Sequence, residues 1–123
     1  MVDTATVRRL AVVLPHTEDA SEPDRLVFTV GGKGFAWSFM ERVAPKKPRV
    51  PRIDILAVRC LIETKEMLIE AAPERFFDDD HYRGYPAVLI RLPEIDEDEL
   101  AGLFREAWRL TAPKPVRKAF PEV

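Results

Sequence analysis

The residues best suited to chemistry in this sequence are lysines and arginines concentrated in two proline-rich segments. Residues 42–52 hold five of them without an intervening carboxylate, and a second cluster lies near the C-terminus. Long cationic side chains on a chain stiffened by proline reach phosphates while losing little entropy on binding. The pattern therefore indicates a nucleic-acid backbone as one partner, and solvated charge beside a sheet edge as the alternative. The cations are Arg42, Lys46, Lys47, Arg49 and Arg52, then Lys114, Arg117 and Lys118.

The acidic run Asp78–Asp80 ends in His81 and has the donor types of a hard-cation site. Consecutive residues of an extended loop point in different directions, however, and no second ligand cluster at fixed spacing accompanies the run. We therefore expect these carboxylates to be solvated, to cap a helix end, or to pair with Arg75 or Arg83. No metal is expected.

Sequence signals for catalysis are weak. Gly31–Gly34 joins two predicted strands, whereas a phosphate-binding glycine loop leads from a strand into a helix, and there is no serine elbow. Cys60 lies in an apolar strand, where a free cysteine is usually a small buried hydrophobe. Both histidines lie in predicted loops, so no base accompanies this thiol along the chain. We expect a non-enzymatic protein without a cofactor.

The two kinds of charge nearly cancel over the whole chain. Its 19 lysines and arginines are set against 21 aspartates and glutamates, so the net charge is −2 and the pI about 5.7. A uniformly basic nucleic-acid coat is therefore excluded, and DNA would meet only a local patch. Because neighbouring acids repel a polyanion, we expect any such binding to be weak and strongly salt-dependent.

Size and composition are those of one globular domain over residues 1–123, with residues 112–123 as its tail. The 123 residues are 46% hydrophobic and 33% charged, which excludes a disordered chain. The single cysteine forms no internal disulfide, so we expect a cytoplasmic protein. We also expect a monomer. No apolar run approaches the ~20 residues that span a bilayer, so no membrane association is expected.

Hydrophobic periodicity predicts seven elements in the order α-β-β-β-α-β-α. Two of the strands flank Gly31–Gly34 as a hairpin, with Phe35, Trp37 and Phe39 expected on one face. The predicted fold class is α+β, an antiparallel sheet with helices packed on one face. The elements are a helix ending at Pro15, strands over 26–30, 35–40, 53–60 and 87–92, and helices over about 63–72 and from Asp96.

The segments between these elements are expected to be irregular. Residues 42–52 contain three prolines, which remove backbone donors, so we expect an extended or mobile loop rather than a paired strand. His16–Asp24 is expected to be a polar loop, and Phe76–Phe77 to fill the core. The proline-rich basic tail, residues 112–123, is expected to be draped over the surface or disordered.

Three stretches of the chain resemble a known family. They are Val30–Ala36, Pro45–Pro51 and, most distinctively, His81–Leu92, which reads HYRGYPAVLIRL. With Phe76–Phe77 before that motif and residues 107–114 behind it, they resemble in order the MmcQ/YjbR-like family of small bacterial proteins. The resemblance implies a frataxin-like (CyaY-like) α+β shape with a double-wing arrangement. That shape is the basis on which these proteins are described as DNA-binding.

The basic run and the resemblance together predict a module that contacts DNA through a wing-like hairpin and the basic loop. The candidate phosphate ligands are Lys33, Lys46, Lys47, Arg49, Arg52, Arg83, Lys114, Arg117 and Lys118.

The motif residues His81, Tyr82 and Tyr85 are candidates for an exposed surface that stacks on bases or holds a phosphate. Alternatively, the two tyrosine rings pack on the sheet. A second hypothesis is a domain that binds a protein or a small ligand and has no nucleic-acid role. It follows from a sheet that buries one face under helices and leaves the other to a partner.

Overall fold

A six-stranded antiparallel sheet organises the chain in the computed structural model, which describes residues 1–123. The strands are β1 (Thr17–Asp19), β2 (Val27–Val30), β3 (Lys33–Arg42), β4 (Arg49–Arg59), β5 (Phe76–Phe77) and β6 (Ala87–Arg91). The helices are α1 (Thr4–Val12), α2 (Ile62–Ala71), α3 (Glu97–Thr111) and α4 (Lys114–Ala119), with a 3-10 turn at Leu92–Glu94. Across the sheet the strands follow the order β1-β2-β3-β4-β6-β5. None of the helices has the length and apolar character needed to cross a membrane.

The predicted α+β class is confirmed, but the structure has more elements than the predicted order of seven. The polar loop predicted at His16–Asp24 contains β1, which pairs with β2 through Thr17↔Val30. This short strand lies at the sheet edge and is polar, so it lacks the alternation that marks a half-buried strand. The tail forms α4, with a proline in its first turn, where the missing N–H costs no hydrogen bond. Of the two alternatives for the tail, disorder is therefore wrong for residues 114–119, which form a helix on the surface with Val116 packed against the main core.

Aspartate side chains cap the first turns of α1 and α3, the two helices that cover the main core. The Asp3 carboxylate accepts the Thr6 N–H at 2.8 Å, and the Asp96 carboxylate accepts the Glu99 N–H at 2.8 Å. Each bond satisfies one of the free donors at a helix start. Asp96 thus caps the helix that was predicted to start at this residue, and the Glu99 side chain pairs with the Arg75 Nε at 2.7 Å, which ties α3 to the residues preceding β5.

The main hydrophobic core lies between the sheet and the helices α1 and α3. Phe28, Leu56 and Ile90 project from the sheet, and Phe104 and Trp108 project from α3. Trp108 is fully buried, and its indole N–H donates to the Pro15 carbonyl at 2.8 Å. The helical side of the sheet therefore follows the predicted arrangement, with helices packed on this face.

A β-bulge at Phe35 changes which aromatic side chains share a face. Phe28 pairs with Ala36, but Thr29 pairs with Gly34, so Phe35 is the extra residue of β3. Phe35 and Ala36 both enter the main core, whereas Trp37 and Phe39 lie on the opposite face. The predicted common face of Phe35, Trp37 and Phe39 is therefore wrong, because the bulge interrupts the alternation.

The basic segment 42–52 is the end of a two-stranded hairpin rather than a mobile loop. Phe39 pairs with Arg52 and Arg42 with Arg49, so β3 and β4 continue towards a short turn. The pairing of β2 with β3 ends at Trp37, and the pairing of β4 with β6 begins at Ile55. Residues 39–52, called the wing below, therefore extend beyond the neighbouring strands. Proline is tolerated there because neither strand of the wing has a third strand to donate to.

We predict that alanine at Gly31 destabilises the fold more than alanine at Gly32. Both glycines have positive φ, +61° and +78°, which costs an L-residue about 1–2 kcal/mol. A Cβ at Gly31 would lie 2.4 Å from Pro113 Cγ, whereas a Cβ at Gly32 would have no neighbour within 4 Å. We expect Gly31→Ala to lose about 1–3 kcal/mol more than Gly32→Ala, because a packed ring must move. Urea unfolding measures both.

The double variant Gly31→Ala with Pro113→Ala is the control. Without the proline ring, the free energy of unfolding that is lost on adding Gly31→Ala to Pro113→Ala should be close to the loss caused by Gly32→Ala in the wild type. Equal losses for the two single variants would contradict the packing of Pro113 on this turn.

Candidate functional site

The candidate phosphate ligands divide between opposite ends of β3. Lys46, Lys47 and Arg49 lie at the tip of the wing, beyond the last residues of β3. Lys33 begins β3 at the other end, where Pro113 packs on Gly31 and leads into α4 with its three cations. Ten residues of β3 separate the two ends by ~30 Å. The candidate cations therefore form two separate basic patches and not one continuous basic face.

The wing tip is a tight turn that holds several unneutralised cations. The Lys47 N–H donates to the Ala44 carbonyl at 3.2 Å, which closes a four-residue turn with Pro45 and Lys46 at its centre. Lys46 has φ +65°, the value that the third position of a type II turn requires. Arg42, Lys46 and Lys47 are exposed. The Arg49 guanidinium donates to the Met40 carbonyl at 2.9 Å, which anchors the side chain without removing its charge.

Two of the candidate phosphate ligands are already neutralised by carboxylates. Arg52 binds Asp54 at 2.8 Å and also pairs with Glu41. The hydrogen bond from Arg52 lowers the pKa of Asp54 below its usual value, so this pair stays charged near neutral pH. Arg83 binds Asp80 at 2.7 Å on the surface. A phosphate would have to displace a carboxylate at either arginine, so the unpaired tip cations are better phosphate ligands.

The second basic patch, which we call the tail patch, includes an arginine that the sequence reasoning did not select as a ligand. Arg109 of α3 lies with Lys114, Arg117 and Lys118 around an open hollow of about 290 Å³. Arg109 donates to the carbonyls of Pro121 and Val123, which holds the C-terminal residues against α3. The sequence predicts the helix that starts at Asp96 as a core helix, and Arg109 lies on its exposed side next to the tail.

The loop of residues 78–86, which contains the motif residues His81, Tyr82 and Tyr85, forms a second layer over the face opposite the helices. Tyr82 is 7% exposed, and its ring packs on Phe39 at 6.1 Å between centroids. The Trp37 indole N–H donates to the Tyr82 hydroxyl at 2.9 Å. His81 and Tyr85 remain exposed, so the motif combines a buried ring with two accessible ones. Neither of the two alternatives for this motif describes all three side chains.

A buried lysine holds this loop in place. Lys65 of α2 is 3% exposed, and its ammonium group donates to the carbonyls of Tyr82 at 2.6 Å and Tyr85 at 3.0 Å. Its third partner is the Asp78 carboxylate at 3.0 Å. The neighbouring Asp79 carboxylate accepts the Tyr82 N–H at 2.9 Å. The acidic run therefore shapes the loop. The sequence signal for the buried charge is a lysine, Lys65, placed among the apolar residues of a predicted helix.

Four aromatic side chains, Trp37, His81, Tyr82 and Tyr85, line an open cleft of about 330 Å³, called the aromatic cleft below. The Arg59 guanidinium lies 5.5 Å from the Trp37 ring centre and 5.8 Å from the Tyr85 ring centre. Its Nε donates to the Gly34 carbonyl at 2.8 Å. Arg59 was not a candidate in the sequence reasoning, because a single arginine at the end of an apolar strand carries no motif.

Two other sites offer less specific chemistry. Cys60 is buried, and burial raises the pKa of its thiol to about 11, which disfavours the reactive thiolate. A groove of about 410 Å³ lies between the start of α2 and the last turns of α3. Its lining includes Leu61 and Leu110, which are 52% and 47% exposed, but none of the candidate residues.

We predict that Lys65→Met loosens the loop over the second face. Methionine keeps the length of the side chain but leaves two carbonyls and Asp78 without their donor, at a cost of about 3 kcal/mol. Trypsin should then cleave faster after the exposed Arg83. Urea unfolding and a proteolysis time course measure the two effects. Lys118→Met, on the exposed side of α4, is the matched control and should change the free energy of unfolding by less than about 0.5 kcal/mol. Unchanged stability and cleavage in Lys65→Met would contradict the anchoring role.

The chain is similar to known proteins in both sequence and fold. The YjbR family model matches residues 13–110. Uncharacterised proteins of Mycobacterium bovis and of Mycobacterium tuberculosis are 37% identical to this chain over 121 residues, covering 93% of it and 92% of each relative. The crystal structure of a Deinococcus radiodurans protein with a DUF419 domain has the same fold, with a TM-score of 0.70 and 21% identity over 98% of this chain and 89% of that one. By sequence over most of its length, the chain belongs to the YjbR family.

Proposed function

We propose that this protein binds DNA through the tip of its basic wing, as a non-enzymatic module. The observation that supports the proposal is the projecting hairpin, whose tip carries Arg42, Lys46, Lys47 and Arg49 without an ion pair to any carboxylate. A hairpin that extends beyond the sheet can contact a DNA groove or a phosphate backbone while the acidic residues of the rest of the protein stay further away. The wing tip therefore holds its positive charge apart from the acids of the body, and Glu41, the one carboxylate of the wing, pairs with Arg52.

Binding of this kind is electrostatic and largely independent of sequence. Lysine and arginine contacts to phosphates release counterions, so the affinity falls steeply with salt. Contacts with phosphates position a protein on the duplex but do not distinguish bases. The tip contains no asparagine or glutamine, the side chains that read adenine through two bonds, so only its arginines and lysines could contact base edges. We therefore propose weak binding with little direct base readout.

The wing offers better phosphate ligands than the other candidate cations. Arg52 and Arg83 are held by carboxylates, and Lys33 and the tail patch lie at the far end of β3. An interface centred on the wing tip uses Lys46, Lys47 and Arg49. The tail patch then contributes only where DNA wraps around the protein or where a second site exists.

We predict that the double variant Lys46→Glu, Lys47→Glu abolishes most of the DNA affinity. Fluorescence anisotropy of a labelled duplex, titrated at low and at moderate salt, measures the change. The affinity at low salt should fall about tenfold or more. Each lost phosphate contact should also lower the slope of log affinity against log salt by about 0.9, so two contacts lower it by about 1.8.

The double variant Lys114→Glu, Lys118→Glu in the tail patch is the matched control. It makes the same chemical change and the same change in net charge, so a general electrostatic effect would weaken both variants equally. We expect the tail variant to retain its affinity within about threefold. Wild-type protein that fails to bind duplex or single strand at low salt would overturn the proposal, as would equal losses in both double variants.

A second candidate function, binding of a small ligand, is favoured by the aromatic cleft. The face opposite the helices is neither a bare polar surface nor a fully closed core, since Trp37, His81 and Tyr85 leave an open concavity over it. Aromatic walls with a few polar groups are typical of small-molecule sites. This function requires no DNA.

We propose a frataxin-like, double-wing shape in which residues 39–52 are one wing and the β2–β3 hairpin is the other. The proposed compartment is the cytoplasm, because the only cysteine is buried and free. The proposed oligomeric state is a monomer. Size-exclusion chromatography with light scattering tests the monomer.

A further inference from the structure

We propose that the aromatic cleft is a nucleotide site, in which a nucleobase packs among the rings and its phosphate binds Arg59. The ligand class is a flat heteroaromatic base joined to a phosphate. Such a ligand comes either as a free mononucleotide or as an unpaired nucleotide of a single strand. This proposal rests on the small-ligand function proposed for the aromatic cleft, and it is independent of the wing because the two sites share no residue.

The rings form walls at steep angles rather than a single flat stack. Tyr85 is inclined by 80° to Tyr82 and by 74° to Trp37, with ring centres 5.8 Å and 6.5 Å apart. His81 is inclined by 84° to Tyr82 at 5.2 Å. A planar ligand in such a corner stacks on one ring while the edges of the others meet its rim. Stacking of a base on an aromatic side chain contributes about 1–3 kcal/mol.

The walls also carry polar groups suited to a base edge. Because the Tyr82 oxygen accepts the Trp37 indole N–H, its own hydrogen is left to donate to a ligand. His81 is exposed and makes no hydrogen bond within the protein, so its ring offers both a donor and an acceptor when neutral. These groups are directed by a loop that Lys65 fixes, so the site is largely formed before a ligand arrives.

Arg59 supplies the positive charge beside the cleft. It is half-buried, and it pairs with no carboxylate. Its Nε is used by the Gly34 carbonyl, which fixes the guanidinium over Trp37 and Tyr85 and leaves its terminal nitrogens unbonded. A guanidinium held in a fixed plane with free N–H groups suits the oxygens of a phosphate.

The geometry favours an unpaired base over a base in a duplex. Bases within duplex DNA are stacked, and they reach a pocket only when they are flipped out at a cost of a few kcal/mol. The cleft is concave and bounded by the 78–86 loop, so it does not present the flat or projecting surface that enters a groove. Duplex DNA is therefore expected to leave the cleft empty while it binds the wing.

The two tryptophans allow a direct test by NMR. Trp37 donates its indole N–H inside the cleft, and Trp108 donates its indole N–H inside the main core. A nitrogen–proton spectrum therefore shows one indole signal from each, assigned by Trp37→Phe. Titration with adenosine monophosphate should shift the Trp37 signal and leave the Trp108 signal in place. Adenosine, without phosphate, should shift the same signal with an affinity lower by about tenfold.

Substitutions distinguish the contribution of the base to binding from that of the phosphate. Arg59→Gln should weaken the binding of adenosine monophosphate by about tenfold and leave the binding of adenosine nearly unchanged. Tyr85→Leu should weaken both, because it removes a stacking wall. Arg91→Gln is the matched control, since Arg91 also lies over an aromatic ring, Phe77 at 4.0 Å, outside the cleft. It should bind both compounds as the wild type does.

The source of the ligand follows from a second titration. A short single-stranded oligodeoxyadenylate that shifts Trp37 at much lower concentration than the mononucleotide identifies a strand, and comparable affinities identify a free nucleotide. Neither compound shifting Trp37 at about 10 mM would overturn the proposal. So would equal shifts of Trp37 and Trp108, or an unchanged affinity for adenosine monophosphate in Arg59→Gln. The Lys46→Glu, Lys47→Glu variant should still shift Trp37 with the mononucleotide, whatever happens to duplex binding.

Discussion

One buried charge organises the face of the sheet that the helices leave open. Burying an ammonium group costs several kcal/mol unless all of its donors find partners. Lys65 has three donors, and the Tyr82 and Tyr85 carbonyls and the Asp78 carboxylate accept all of them. Because these acceptors belong to the loop of residues 78–86, satisfying the charge also fixes the loop on the sheet. Three of the four residues that line the aromatic cleft, His81, Tyr82 and Tyr85, belong to this loop.

Irregularities of the sheet decide which functional groups appear on each side. The bulge at Phe35 gives the main core two adjacent side chains and turns Trp37 towards the opposite face. A second shift of register, between Ser38 and Phe39, separates the sheet proper from the wing. One long hairpin therefore serves as core, as cleft wall and as projecting arm. Without the first bulge, Trp37 would compete with Phe104 and Trp108 for space beneath the helices.

Much of this fold could be predicted from the sequence, because most elements carry a strong local pattern. The cap at Asp96, the hairpin at Gly31–Gly34 and the apolar stripes of the helices depend on neighbours a few residues away. The wing could not be predicted in the same way, since prolines favour a loop locally and only the pairing with β3 makes that segment a strand. The partners of Lys65 lie 13 to 20 residues away in sequence, and Arg59 meets Trp37 across the sheet. Such groups reveal their role only when the chain is folded.

The open edges of the wing have a consequence for self-association. Beyond Trp37 on one side and before Ile55 on the other, the outer edges of β3 and β4 pair with no further strand. Such edges are templates for pairing with another chain, and exposed Val43 and Val50 add apolar surface to them. Like charges at Lys46 and Lys47 repel a second copy, and the prolines interrupt the rows of donors. The charges and prolines on which the proposed phosphate binding rests therefore also oppose edge-to-edge pairing of two copies of the wing.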